Sequence, residues 1–98
     1  MREIINKLKK IEEVQEIILF GSLAKGEHRP NSDIDIAVFL SSKESAKVVG
    51  GIADELYAEF GIPITIIKFV YNHIPKIMIP LLEEIRRNGV SLWKRKKG

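Results

Sequence analysis

Apolar residues recur along the chain with two different periods, and the switches between them outline the elements. Residues 2–14 place Ile4, Ile5, Leu8 and Ile11 on one side and Lys7, Lys9, Lys10, Glu12 and Glu13 largely on the other, the spacing of an amphipathic helix. Glu16–Phe20 (EIILF) is a short apolar run closed by Gly21, and Ile34–Leu40 (IDIAVFL) is a second run containing β-branched residues; both read as buried strands. Between them, Gly21–Ser32 carries glycines, serines, a proline and an asparagine, which is loop chemistry with room for one short helix at its start.

Beyond Leu40 the helical period returns. Ser41 or Ser42 is suited to cap a helix with Glu44 in its first turn, and Ala46, Val49, Ala53, Leu56, Tyr57 and Phe60 form its apolar side before Gly61 ends it. Gly50 and Gly51 each cost about 1 kcal/mol relative to alanine inside a helix, so the pair marks either close packing against the sheet or a weak point. Ile62–Val70 reads as a third strand, with Pro63 near its start where a missing N–H is tolerated. Pro75 and Pro80 cannot both lie inside one helix. Residues 71–79 therefore read as a connecting turn, with Pro80 at the first position of a helix that runs to about Asn88 and is capped by Gly89. Val90–Trp93 forms a last short strand, and the alternation of helices and strands predicts an α/β layer structure.

At 98 residues the chain is read as one domain, residues 1–98, with a single core and no second lobe to enclose a substrate. No apolar run is long enough to cross a bilayer, and the charged amphipathic N-terminus lacks the apolar core of a signal peptide, so a cytoplasmic location is expected. The absence of cysteine removes disulfide frameworks, thiolate metal sites and cysteine nucleophiles. A net charge of +3 rests partly on Lys94, Arg95, Lys96 and Lys97, which read first as a solvated terminus and only second as a contact for nucleic acid or an acidic partner. Trp93, Tyr57, Tyr71 and the phenylalanines read as core or sheet cover, and His28 and His73 are too isolated to form a zinc site.

The chemistry lies in Leu19–Val38, LFGSLAKGEHRPNSDIDIAV. A strand ending in Gly21-Ser22 and turning at once aims free backbone amides and the Ser22 hydroxyl at one spot, which suits a phosphate, and Gly21 has no side chain to keep a ligand away. Asp33 and Asp35 are two apart on a strand, so their carboxylates leave one face while Ile34 and Ile36 point into the core. Two adjacent carboxylates repel unless a cation or solvent screens them, and magnesium suits them because it combines one or two carboxylates with substrate phosphates.

Gly21-Ser22, ten intervening residues, and Asp33-x-Asp35, each after or within a predicted strand, resemble the signature of the DNA polymerase beta nucleotidyltransferase superfamily. The similarity is greatest to its minimal, MNT-type branch, through Gly21–Gly26 (GSLAKG), Arg29, Ser32 and the ending Ile85–Trp93 (IRRNGVSLW). The resemblance implies a small mixed β-sheet with helices packed on it. It also implies terminal phosphates on Gly21 and Ser22, with Lys25 and Arg29 assisting with phosphate charge, and Mg2+ on Asp33 and Asp35. Catalytic members usually carry a third carboxylate on the strand after the long helix; the matching position here is Thr65, and Ile62–Ile79 contains no Asp or Glu. Asp54, Glu55 and Glu59 fall on the solvent side of the preceding helix.

The same resemblance implies a HEPN-type helical partner in a toxin–antitoxin pair with this chain as antitoxin. Three functions follow. One is transfer of AMP from ATP to a hydroxyl on that partner. Another is a nucleotide-binding subunit that acts by contact alone, which Thr65 favours. The weakest is a nucleic-acid-binding module, resting only on the basic tail. A homo-oligomer is left open.

Overall fold

A computed structural model describes residues 2–27 and 33–96. Its elements are α1 (Arg2–Lys9), β1 (Val14–Phe20), β2 (Ile34–Leu40), α2 (Ala46–Phe60), β3 (Ile64–Val70), α3 (Ile79–Asn88) and β4 (Val90–Lys94). The strands form one mixed sheet in the order β3-β2-β1-β4, with β1 antiparallel to both β2 and β4, and β2 parallel to β3 through the α2 crossover. No helix among the described residues is long and apolar enough to cross a membrane.

Side-chain alternation divides β2 between two cores. Ile36, Val38 and Leu40 face α1 and α2 and pack with Ile4, Leu8, Val49, Ile52 and Leu56. Ala37 and Phe39 face α3 and pack with Ile18, Phe69 and Ile85. Every second residue of β2 is thus held by a different layer, which fixes its register strongly.

The second face contains a buried charge. Glu16, 5% exposed, accepts hydrogen bonds from Nη1 of Arg86 at 2.7 and 2.8 Å, linking the start of the sheet to α3 across 70 residues of sequence. The Arg86 guanidinium also lies 4.3 Å from the centroid of Phe39, which stacks on Phe69 at 5.1 Å and Tyr71 at 5.9 Å.

Several expectations need correction. The first helix stops at Lys9 and not near residue 14, because the chain turns through bonds from Ile11 N to Leu8 O and from Val14 N to Ile11 O, and β1 begins at Val14. Arg95 accounts for the turn's stability: its Nε donates to Val14 O, and its Nη2 donates to Lys9 O and Ile11 O, while the guanidinium lies over Trp93. That cation is therefore structural and not part of a solvated tail. Tyr57 and Phe60 have the period of the apolar side of α2, yet they are 58% and 46% exposed, and Ile52 takes the core position instead.

The caps follow the sequence more closely. Ser42 accepts a hydrogen bond from Glu44 N and opens a 3-10 turn, Lys43–Ser45, that leads into α2. Gly61 closes α2 in the left-handed conformation at φ 69°. Gly89 ends α3 with φ −76°, and its lack of a side chain serves close approach: a Cβ there would stand 2.5 Å from both Ile18 Cγ2 and Ile85 O. Of the glycine pair in α2, Gly50 is the packing contact. A Cβ on it would meet Lys68 Nζ at 3.2 Å, where that ammonium donates to Ala46 O, whereas Gly51 faces open space.

Candidate active site

The end of β1 and the start of β2 lie side by side, with Phe20 paired to Asp35. Gly21 follows at φ 77°, a conformation that L side chains rarely adopt. It sits directly on the Asp35 side chain: a Cβ at Gly21 would fall on Oδ2 and lie 3.2 Å from Cγ. The glycine therefore both makes the turn and leaves room for the carboxylate.

From Gly21 the backbone makes consecutive turns in place of the expected short helix. Lys25 N donates to the carbonyls of Gly21 and Ser22, Gly26 N to Leu23 O, and Glu27 N to Ser22 O. All of these bonds run backwards. Among the described residues, the amides of Ser22, Leu23 and Ala24 have no backbone acceptor, leaving donors at the head of the turn beside Asp35. Lys25 lines a small cleft with Phe20, Gly21, Glu84, Asn88 and Gly89. Arg29 and His28 fall outside the described residues.

Asp33 precedes β2 and is exposed; Asp35 is half-buried. Desolvation first, and the Asp33 charge second, push the Asp35 carboxyl above its ordinary range. Such a pair is relieved by a cation, and two carboxylate donors next to unused backbone amides fit a divalent ion that also takes phosphate oxygens. Among the described residues no group of three or more His, Asp or Glu side chains could hold a metal ion by itself.

The parallel pairing sets Thr65 directly beside Asp35. Residues paired across adjacent strands project from the same face, so the Thr65 hydroxyl occupies the place where a third carboxylate would join the pair. Asp54, Glu55 and Glu59 are exposed on α2, and Glu55 and Glu59 approach Lys7 at 3.7 and 3.8 Å, so they do not replace it.

One consequence is measurable without any substrate. Because the folded state raises the Asp35 pKa, this group contributes its stability fully below the unfolded value of about 3.9 and loses it as pH rises through the folded value. In metal-free buffer near neutral pH, Asp35→Asn should therefore unfold at a higher temperature than the wild type, and the difference should vanish under acid conditions. Equal melting temperatures at neutral pH would mean that the carboxylate is not penalised by its surroundings.

Residues 2–98 match the family model described as polymerase beta, nucleotidyltransferase. No curated protein matches. Among solved structures, a chain from a toxin–antitoxin complex with AMP-PNP is 26% identical with a TM-score of 0.76, covering 97% of this chain and 73% of that one. A chain from the complex of a tri-AMPylated Shewanella oneidensis HEPN toxin with its MNT antitoxin is 23% identical with a TM-score of 0.68, covering 96% and 69%, and shows likeness of fold. The sheet order, the glycine turn seated on Asp35 and a family model that spans almost every residue lead to one assignment: the chain belongs to the polymerase beta nucleotidyltransferase family, as a minimal nucleotidyltransferase.

Proposed function

We propose that residues 1–98 act as one minimal domain in the cytoplasm that transfers AMP from ATP to a hydroxyl group on a HEPN-type protein, as the antitoxin of a toxin–antitoxin pair. The observation that carries this reading is the seating of the Gly21 turn on Asp35, which brings backbone phosphate donors and a carboxylate pair to one end of the sheet. The similar complexes, one with AMP-PNP and one with an AMPylated HEPN toxin, support the choice of nucleotide and acceptor.

In this reading Ser22 and the amides after Gly21 hold the terminal phosphates, and Lys25 and Arg29 reduce their charge. Asp33 and Asp35 would hold Mg2+, which would supply neutralisation and alignment of the triphosphate. The acceptor oxygen attacks the α-phosphorus in line, the bond to the β-phosphate oxygen breaks, and pyrophosphate leaves with the bonding electrons. Thr65 is a very poor base, so the hydroxyl proton passes to water, and the reaction is slower than one with a carboxylate at that place.

The test is transfer of label from α-labelled ATP and Mg2+ into the HEPN-type protein. Wild type should label it, Asp35→Ala should not, and Thr65→Asp should raise the rate. A second reading is favoured by Thr65 itself: the chain binds nucleotide and restrains its partner by contact alone. ATP binding without transfer by the wild type would replace the first reading with the second.

A further inference from the structure

At the end of the sheet away from Asp33 and Asp35, the side chains of Gln15, Glu16, Tyr71, Arg86, Lys94 and Arg95 line a pocket of about 240 Å³. Phe20 pairs with Asp35 and Glu16 with Phe39, so four residues of β1, about 13 Å at the rise of a strand, separate this pocket from the carboxylate site. It is therefore a different place from the turn at Gly21.

Three cations and one carboxylate face the space, and the carboxylate is already paired, because both Glu16 oxygens accept from Arg86 Nη1. Glu16 and Lys94 are partners across β1 and β4 and so project from the same side of the sheet, yet no ion pair joins them. Among the described residues the Lys94 ammonium has neither a hydrogen-bond acceptor nor an ion-pair partner.

The two guanidiniums are fixed before any ligand arrives. Arg86 is anchored by Glu16 and by the Phe39 ring, and it spends only Nη1 on the carboxylate. Arg95 is anchored over Trp93 by the carbonyls of Lys9, Ile11 and Val14, which use Nε and Nη2 and leave Nη1 without an acceptor among the described residues. A guanidinium held in this way loses little side-chain freedom when it takes an anion, so its spare N–H groups form part of a preformed site.

The number of donors selects the anion. A carboxylate offers two oxygens, whereas a phosphate monoester offers three around one tetrahedral centre, one for each of Arg86, Lys94 and Arg95, and the Tyr71 hydroxyl adds a neutral donor. The volume is below the roughly 300–1,000 Å³ of pockets that enclose drug-sized ligands, so there is room for the phosphate and only a small group esterified to it.

We propose that this pocket is a second anion site, which binds inorganic phosphate or a small phosphate monoester through Arg86, Lys94 and Arg95. It does not rest on the transfer reading, and nucleotide binding is independent of it.

The experiment titrates the whole chain, in buffer without metal or nucleotide, with inorganic phosphate, glycerol phosphate, acetate and a single-stranded oligonucleotide, and follows the backbone amide resonances. Both phosphates should shift Gln15, Tyr71, Lys94 and Arg95, and acetate should bind more weakly than either. The tighter of the two phosphates identifies the ligand as ester or free ion, and supports the site in either case. Lys94→Ala should weaken phosphate binding about tenfold, the loss of one charge-assisted donor, whereas Lys96→Ala, on an exposed side chain outside the pocket, should leave it unchanged. A loss in Lys25→Ala in place of Lys94→Ala would put the phosphate at the Gly21 turn and overturn the proposal. Equal losses in Lys94→Ala and Lys96→Ala, with the oligonucleotide bound more tightly than phosphate, would replace the pocket with a basic surface for nucleic acid. Acetate binding as tight as that of phosphate, or no shift at about 10 mM phosphate, would also overturn it.

Discussion

Gly21→Ala will lower nucleotidyl transfer by about a hundredfold, while Gly26→Ala, at an equally left-handed position, will not. Both glycines have φ near 77°, so each alanine variant carries a backbone cost of about 1–2 kcal/mol. Among the described residues, only at Gly21 does the new methyl group meet anything: it falls on the Asp35 carboxylate, whereas at Gly26 no atom of those residues lies within 4 Å. Asp35 must move to accommodate it; in the proposed reading it is a positioned catalytic group, for which a displacement of about 1 Å is enough for a hundredfold loss. The comparison therefore separates strain from contact. Melting temperatures of the two variants should fall together and their transfer rates should part; equal rates would mean that Asp35 is not placed by the turn.

Arg86→Leu should destabilise the fold by about 2–3 kcal/mol, measured by urea unfolding. The side chain of Glu16 is 7% exposed, and Arg86 provides the only ion pair to it among the described residues. Removing the guanidinium strands a buried carboxylate, which usually costs about 3–5 kcal/mol; the lower figure here reflects Arg86 being 43% exposed, so that water can follow into the space. The stacking on Phe39 is lost as well. Replacing both partners, Glu16→Leu with Arg86→Leu, should recover most of the loss, because an apolar pair leaves no charge to solvate. If the double variant is no more stable than the single one, the buried charge is not the cause. Tyr71 offers a spectroscopic check: burial and then the Glu16 carboxylate push its phenol above the ordinary range, against the opposing Arg86 guanidinium, so Arg86→Leu should move its titration to still higher pH.

The central strands and the turn between them were legible from sequence, because uninterrupted apolar runs closed by Gly21 or bounded by Asp33 have few alternative readings. β2 begins and ends where Ile34–Leu40 placed it. The Gly21 turn and the aspartate pair came from the same local signal, and the β2–β3 register adds what the family resemblance only implied, that Thr65 stands next to Asp35. What was missed depends on distant partners. Glu16 reads as a member of an apolar strand, and nothing near it announces Arg86. Arg95 reads as one cation in a basic tail until Lys9, Ile11 and Val14 are seen presenting their carbonyls to it. Tyr57 and Phe60 have the right period for a core, but they are exposed on the last turns of α2, and a period does not report where the sheet ends.

The reach of Lys68 across α2 to Ala46 bears on how the protein behaves at high concentration. β3 borders the sheet, and an uncovered strand edge is a template on which a second chain can pair and start an aggregate. A copy laid alongside at the same level would bring two Lys68 ammonium groups together, adding like-charge repulsion to the cost of drying them. With Gly50 leaving space for the lysine, the domain discourages fibril-like stacking through this edge even though the strand around it is rich in isoleucine.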